Sequence, residues 1–141
     1  MKIRDAVKQD YGRLMELYND FVGSDRYSSH DNDSFERTLD DPNCYIYVAE
    51  ENNQIIGFVT FSARNVVRYA KPIAEGDELY VTPEYRGKGY GKQLMQHILD
   101  KATELNCHRM FLESHYDHKP AHKMYESMGF TNYGYHFIKD L

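Results

Sequence analysis

Apolar and polar residues change period several times along this chain, and each change predicts an element. Lys2 to Ala6 alternates weakly and reads as a short strand. From Asp10 to Phe21 the period is helical. Leu14, Leu17, Tyr18 and Phe21 share one face with Met15 beside them, and Gly23 stops the helix. Ser24 to Asp33 is polar and reads as a loop, either one that touches substrate at a cleft or a solvated connector. Ser34 suits the cap of a short second helix through Asp40, and Asp41-Pro42-Asn43 turns the chain. Cys44 to Glu50 and Gln54 to Arg64 read as strands joined by a hairpin at Glu51-Asn52-Asn53. Strict alternation in the second puts Ile56, Phe58, Thr60 and Ser62 on one face, with Ile55, Gly57, Val59 and Phe61 on the other. Asn65 to Ile73 has no clear period, and Pro72 breaks it.

Glu75 to Val81 is the next strand, and Pro83, which cannot donate to a ladder, ends it near Thr82. After Gly91 the helical period returns with Leu94, Met95, Ile98, Leu99, Ala102 and Leu105. Arg109 to Ser114 reads as a strand. Pro120 opens a helix that runs through Met128 and stops at Gly129. Phe130 to Tyr135 and His136 to Leu141 read as a closing pair of strands about Gly134. The order is β-α-α-β-β-β-α-β-α-β-β.

The joint between the Glu75–Val81 strand and the following helix carries the most chemistry. It reads Arg86-Gly87-Lys88-Gly89-Tyr90-Gly91-Lys92. The first amides of a helix have no partner inside it, and the helix dipole adds partial positive charge there. Glycines let the backbone take unusual dihedrals and let a ligand come close. A basic, Gly-rich strand-to-helix joint is therefore a cradle for a phosphate or pyrophosphate. It is neither of two familiar cradles. The P-loop pattern fails because Gln93 follows Gly91-Lys92 and Arg86 stands where the first glycine belongs. The dinucleotide fingerprint fails because the glycines alternate.

The run Arg86-Gly87-Lys88-Gly89-Tyr90-Gly91 resembles the pyrophosphate loop of the GNAT superfamily of acyl-CoA N-acyltransferases, whose pattern is [RQ]-x-x-G-x-[GA]. The preceding Leu79-x-Val81-x-Pro83-x-Tyr85 run fits the same family. The resemblance implies an α/β (α+β) fold: a mixed, mostly antiparallel sheet of six to seven strands with about four helices. That sheet splays between the strand ending near Val81 and the strand at Met110. It implies acetyl-CoA as co-substrate, with the pyrophosphate on Arg86, Gly87, Lys88, Gly89, Tyr90, Gly91 and Lys92. The pantetheine arm would run along Leu79, Tyr80 and Val81, where an amide would polarise the thioester carbonyl.

A second run, Ala121-x-x-x-Tyr125-x-x-x-Gly129-Phe130, is similar to a family helix whose tyrosine donates a proton to the departing CoA thiolate. By that resemblance Tyr125 is the general acid. One departure stands out: many members carry Asn three residues before the alanine, and this chain has His118. Glu78 is the candidate base for the acceptor amine. Tyr80, on the same strand face, is placed to order a water. Glu75, Asp77, Glu78 and Glu113 would make an acidic cleft mouth that favours a cationic amine. The alternative for Glu78 is a salt-bridged surface carboxylate, and for Tyr125 a packing role. His115, His118 and His122 are better read as solvated loop histidines than as metal ligands, so no metal is expected. The last helix and tail also look faintly like aminoalkylphosphonate N-acetyltransferases.

Composition narrows the rest. The 141 residues suit one domain, 1–141. The formal charge of −5 counts against a nucleic-acid binder. No apolar run approaches the roughly 20 residues of a membrane span, and Met1 to Asp5 leads into no signal-peptide core. Two cysteines without a CxxC pair suit a reducing cytoplasm. The expected partner is a small-molecule amine, with a homodimer possible. The alternatives are a protein or peptide N-acetyltransferase and a non-catalytic acyl-CoA-binding module.

Overall fold

Two adjacent asparagines make the hairpin on which the sheet is built. Asn52 and Asn53 have φ of 50° and 62°, the left-handed pair that a two-residue hairpin turn needs. They join β2 (Cys44–Glu51) to β3 (Gln54–Arg64). β1 (Lys2–Asp5) pairs antiparallel with the other edge of β2. β4 (Ile73–Val81) pairs antiparallel with β3, and β5 (Met110–Leu112) follows β4, giving the order β1-β2-β3-β4-β5. The helices are α1 (Tyr11–Val22), α2 (Asp33–Asp40), α3 (Tyr90–Glu104) and α4 (Lys119–Ser127). This computed structural model describes residues 1–24 and 32–141. The chain groups into two compact units, Met1–Phe111 and Leu112–Leu141, each described by itself.

Most elements fall where the periodicity puts them. α1 ends at Gly23, whose φ of 68° closes a left-handed cap. α2 begins two residues earlier than expected, with Asn32 rather than Ser34 in the cap position. The number of strands differs. The sheet has five strands among the described residues, not six to seven, because residues 130–141 form no regular secondary structure. Residues 131–141 are all exposed, and among the described residues they make no backbone hydrogen bond. A strand exists only where a partner satisfies its backbone groups. Alternation in the sequence supplies the tendency but not the partner.

The core of the first unit forms on both faces of the sheet. Leu14 and Leu17 of α1 and Phe35 of α2 pack with Ile46, Val48, Phe58 and Tyr80 on one face. Tyr47 stands beside Val48 in β2 and so points the other way. Its ring meets His97 of α3 edge-on at 4.4 Å. α3 therefore takes the second face, burying Leu94, Met95, Ile98 and Ala102. At the start of α1, Arg4 donates to both Asp10 oxygens at 2.7 and 3.0 Å and to Glu50 at 2.8 Å, which ties β1, β2 and α1 together. The Arg4 hydrogen bonds hold the buried Asp10 carboxyl below its ordinary range. A lowered pKa means this contribution is present at neutral pH and is lost as acid protonates Asp10.

Two bulges depart from strict alternation. Between β2 and β3 the register passes from Ala49–Gly57 to Glu50–Ile55, leaving Ile56 as the extra residue. Ile55 consequently joins the Phe58 cluster instead of facing away from it. Between β3 and β4, Thr60 pairs with Glu78 and Phe61 with Gly76, leaving Asp77 as the extra residue. Beyond that bulge Gly57 lies opposite Val81. A Cβ on Gly57 would stand 2.5 Å from the Tyr80 carbonyl oxygen and 3.2 Å from the Val81 Cα. The end of β4 thus closes on β3 only because residue 57 has no side chain. Gly57→Ala should therefore force the two strands apart and cost about 1–3 kcal/mol. Thermal denaturation should show a melting point several degrees lower, as expected for a loss of ~2 kcal/mol in a domain of this size.

Candidate active site

β4 hands the chain to α3 through a tight sequence of turns. The Thr82 amide donates to Ile56 O at 2.9 Å, Tyr85 to Thr82 O at 3.0 Å, and Arg86 to Pro83 O at 3.2 Å. Gly87 and Gly89 then take φ of 75° and 81°. A Cβ at either position would meet nothing within 4 Å. The left-handed dihedrals, rather than crowding inside the protein, are what require glycine there. Gly91 has ordinary helical geometry in the first turn of α3, which opens at Tyr90. The first backbone bond into the helix is Gln93 to Gly89 O at 3.1 Å. Among the described residues, the amides of residues 87–92 donate to no backbone acceptor. A run of free amides at a helix N-terminus, with Lys88 and Lys92 exposed beside it, fits a pyrophosphate by hydrogen bonding and by charge.

Arg86 precedes these amides and is tied to the strand. Its Nε donates to the Val81 carbonyl at 2.8 Å, and its guanidinium lies 5.3 Å from the centre of the Tyr80 ring. It braces the loop against the end of β4. Lys88 lies over the Tyr85 ring at 4.6 Å, and Tyr90 donates to Glu51 at 3.3 Å. Along β4, Val81 is buried and Leu79 half-buried. Tyr80, two residues on from Glu78, is buried rather than exposed. Its ring lies 6.0 Å from Phe58 and 5.8 Å from Phe21, and burial raises its hydroxyl pKa. β5 meets the start of β4, where His108 donates to Pro72 O at 2.7 Å and Ala74 to Arg109 O at 2.9 Å.

Glu78 is held rather than free. The Tyr18 hydroxyl donates to its Oε2 at 2.6 Å and the Thr60 hydroxyl donates to the same oxygen at 2.9 Å. Glu78 lines a cavity of about 340 Å³ with Tyr18, Phe35, Tyr45, Thr60, Phe61 and Asp77 among its walls. In a regular strand, neighbours such as Asp77 and Glu78 point to opposite faces. The bulge at Asp77 brings both carboxylates to one cavity. Tyr18 and Thr60 are absent from the sequence-based set of catalytic and binding residues, whereas Asp77 was expected with Glu78 at an acidic mouth. The only sequence signal for the bulge is a glycine, Gly76, inside a strand. Glu75, expected at the same acidic mouth, instead pairs with Arg64 at 3.2 Å. Of the polar loop from Ser24 to Asp33, residues 25–31 lie outside the described residues.

The second unit holds Tyr125 on α4. Its ring lies 5.8 Å from Phe130, and its carbonyl accepts the amides of Met128 and Phe130 at 3.0 and 3.1 Å, closing the helix. Burial raises the pKa of its hydroxyl, which therefore keeps its proton through neutral pH. His118 stands just before α4. The His122 ring nitrogen lies 3.0 Å from the His115 carbonyl, and His115 lies 3.5 Å from Asp117. Glu113 pairs with His136 at 2.7 Å. Among the described residues no three His, Cys, Asp or Glu gather as a metal site.

A strand, a left-handed glycine loop and a helix with free amides also define the family. The profile of the Acetyltransferase (GNAT) family matches residues 11–130. The chain belongs to this family and is an N-acetyltransferase with acetyl-CoA as co-substrate. An aminoalkylphosphonate N-acetyltransferase of Salmonella typhimurium is 24% identical over 140 residues, covering 99% of this chain and 91% of that protein. An L-amino acid N-acyltransferase of Escherichia coli is 29% identical, covering 93% and 80%. A solved structure from Agrobacterium tumefaciens, assigned as an acetyltransferase, superposes with a TM-score of 0.91 at 28% identity over the whole of both chains.

The loop geometry gives a direct expectation. A β-branched side chain at φ 81° is strained, and it would fill the open space beside the free amides. Gly89→Val should weaken acetyl-CoA binding by more than about tenfold, some 1.4 kcal/mol. Titration calorimetry measures this, with circular dichroism confirming that the variant is folded. An unchanged affinity in a folded variant would remove the loop as the pyrophosphate site.

Proposed function

We propose that the chain moves an acetyl group from acetyl-CoA to a primary amine of a small molecule, by direct attack within a ternary complex. The observation that carries this reading is Glu78: a carboxylate oriented by two hydroxyls, in a cavity, on the strand that leads into the free-amide loop. Both hydroxyls use Oε2, so Oε1 is the oxygen offered to an acceptor. Glu78 takes the amine proton directly or through one water. The amine nitrogen bonds to the thioester carbonyl carbon and the carbon–sulfur bond breaks. Tyr125 gives its proton to the leaving thiolate. Its assignment rests on the Ala121-to-Phe130 run and on a hydroxyl that burial keeps protonated.

Backbone amides 87–92, with Lys88 and Lys92, hold the pyrophosphate, and Arg86 keeps the loop in shape. Leu79, Tyr80 and Val81 offer backbone to the pantetheine arm. The cavity beside Glu78 suits a compact, cationic acceptor, because Asp77 and Glu78 supply negative charge and Tyr45, Phe35 and Phe61 supply aromatic walls. The Salmonella and Escherichia coli relatives, named for small amine substrates, support the small-molecule reading over a protein acceptor. A pure acyl-CoA-binding module would need neither Glu78 nor Tyr125. The family match crosses the boundary between the two compact units, which supports reading 1–141 as one domain. Free thiols at Cys44 and Cys107 fit a reducing cytoplasm.

The test is release of free thiol from acetyl-CoA against small amines: polyamines, aminoglycosides, amino acids, aminophosphonates and short peptides. Release with one small-molecule group supports the proposal. Release with peptides alone, or none from protein that binds acetyl-CoA, overturns it. With the active acceptor in hand, Glu78→Gln should lower kcat by about 10²–10⁴-fold, the usual range for a lost general base, while acetyl-CoA affinity stays the same. Tyr125→Phe should lower kcat without changing acetyl-CoA affinity. In the native enzyme kcat should fall on the alkaline side as the Tyr125 hydroxyl loses its proton. Because its pKa is raised above the ordinary tyrosine value of 10.0, that fall should come above this value and vanish in Tyr125→Phe.

A further inference from the structure

A second cavity, of about 450 Å³, lies on the α3 face of the sheet and within the first compact unit. It is distinct from the cavity that holds Glu78, although Tyr45 lines both. Its walls follow from the local periods. Tyr45 and Tyr47 alternate along β2 and share a face. Asp5 of the edge strand β1 is the register partner of Tyr47 and points the same way. His97, Lys101 and Glu104 recur at helical spacing on α3, with Asp100 beside them.

The charge of this cavity is lopsided. Asp5, Asp100 and Glu104 stand against one lysine, Lys101, which pairs with Glu104 at 3.3 Å. With His97 neutral, Asp5 and Asp100 remain unbalanced. Solvated carboxylates alone would call for no ligand, but Tyr47 does. It is 4% exposed and lines the cavity, yet its hydroxyl has no hydrogen-bond partner among the described residues. Nor is that hydroxyl among the polar atoms sealed inside the protein, so it opens to the cavity. A buried tyrosine hydroxyl usually finds a partner. Burial, and after it the Asp5 carboxylate, push its pKa up to about 12. It therefore stays a neutral hydroxyl whose oxygen can accept from an incoming N–H.

We propose that this cavity binds a small aliphatic diamine as its dication, with one ammonium donating to the Tyr47 hydroxyl oxygen and to Asp5 and the other facing the carboxylates of α3. Two ammonium groups match the two unbalanced carboxylates. The rings of Tyr45, Tyr47 and His97 suit the methylenes between them. A divalent metal ion fits less well, because among the described residues these groups do not gather as a metal site. An anion would meet the carboxylates. The site stands apart from the acetyl-transfer reading, since none of its residues but Tyr45 borders the Glu78 cavity.

Titration of the full chain with putrescine at constant ionic strength, followed by amide NMR, tests this. Saturable shifts should appear at Asp5, Tyr47, His97 and Lys101. Tyr47→Phe should weaken that binding by about tenfold or more, as loss of a hydrogen bond to a charged group does. Because the hydroxyl has no partner in the free protein, the same variant should melt no lower than the native chain. Asp5→Asn, a change at an exposed residue, should also weaken binding, and it decides the matter if Tyr47→Phe does not fold. Glu78→Gln, in the other cavity, should leave these shifts in place. Shifts confined to the Glu78 cavity, or shifts that sodium chloride reproduces, would overturn the proposal. So would undiminished binding by the folded variants.

Discussion

The close approach of β4 to β3 at Gly57 governs the candidate site. Tyr80 and Val81 can lie against β3 only because Gly57 presents no Cβ to the Tyr80 carbonyl. That contact sets where β4 ends, and Thr82 confirms the end by donating to Ile56. From there three consequences follow. Val81 O is placed to accept Arg86 Nε, which holds the glycine loop. Tyr80 enters the core, where its ring braces the Arg86 guanidinium. Two residues upstream, Glu78 comes opposite Thr60 and within reach of Tyr18. Loop, core and carboxylate are positioned by one strand pairing.

The bulge at Asp77 shows how a small irregularity becomes chemistry. An extra residue in one strand re-aims a side chain that alternation would bury or expose elsewhere. Here it brings a second carboxylate to the cavity that holds Glu78. Two carboxylates among aromatic walls favour a positively charged ligand, and one of them is already oriented by two hydroxyls from separate elements, α1 and β3. Preorganisation of this kind lets a base act without first rearranging its own hydrogen bonds.

Much of this was legible in the sequence, for local reasons. Helix periodicity, Gly23 as a stop and Asn52-Asn53 as a hairpin are properties of neighbouring residues, and they fall where the pattern puts them. The glycine loop is legible for the same reason, since positive φ at residues 87 and 89 is a backbone demand that only glycine meets comfortably. Arg86 was expected on the ligand; that its Nε also meets the Val81 carbonyl is a matter the fold decides. A side chain with five donors goes to whichever acceptor the fold brings near it. Tyr80 shares a strand face with Glu78, and its ring packs 6.0 Å from Phe58 in the core, a contact between distant segments that the strand's own alternation does not reveal.

The sequence by itself determined most of the elements, the family and the glycine positions of the β4–α3 loop, because these depend on local periodicity, on dihedrals and on a short motif. Tertiary structure alone decided the rest. The partners of Glu78 come from residues 18 and 60, distant in the chain, and no local pattern encodes that meeting. The two bulges arise because strands of unequal demand must share one register. The tail shows the limit most plainly. Its alternation is a real tendency, but a strand is a relation between two segments, and the second segment is absent from the tail's own sequence.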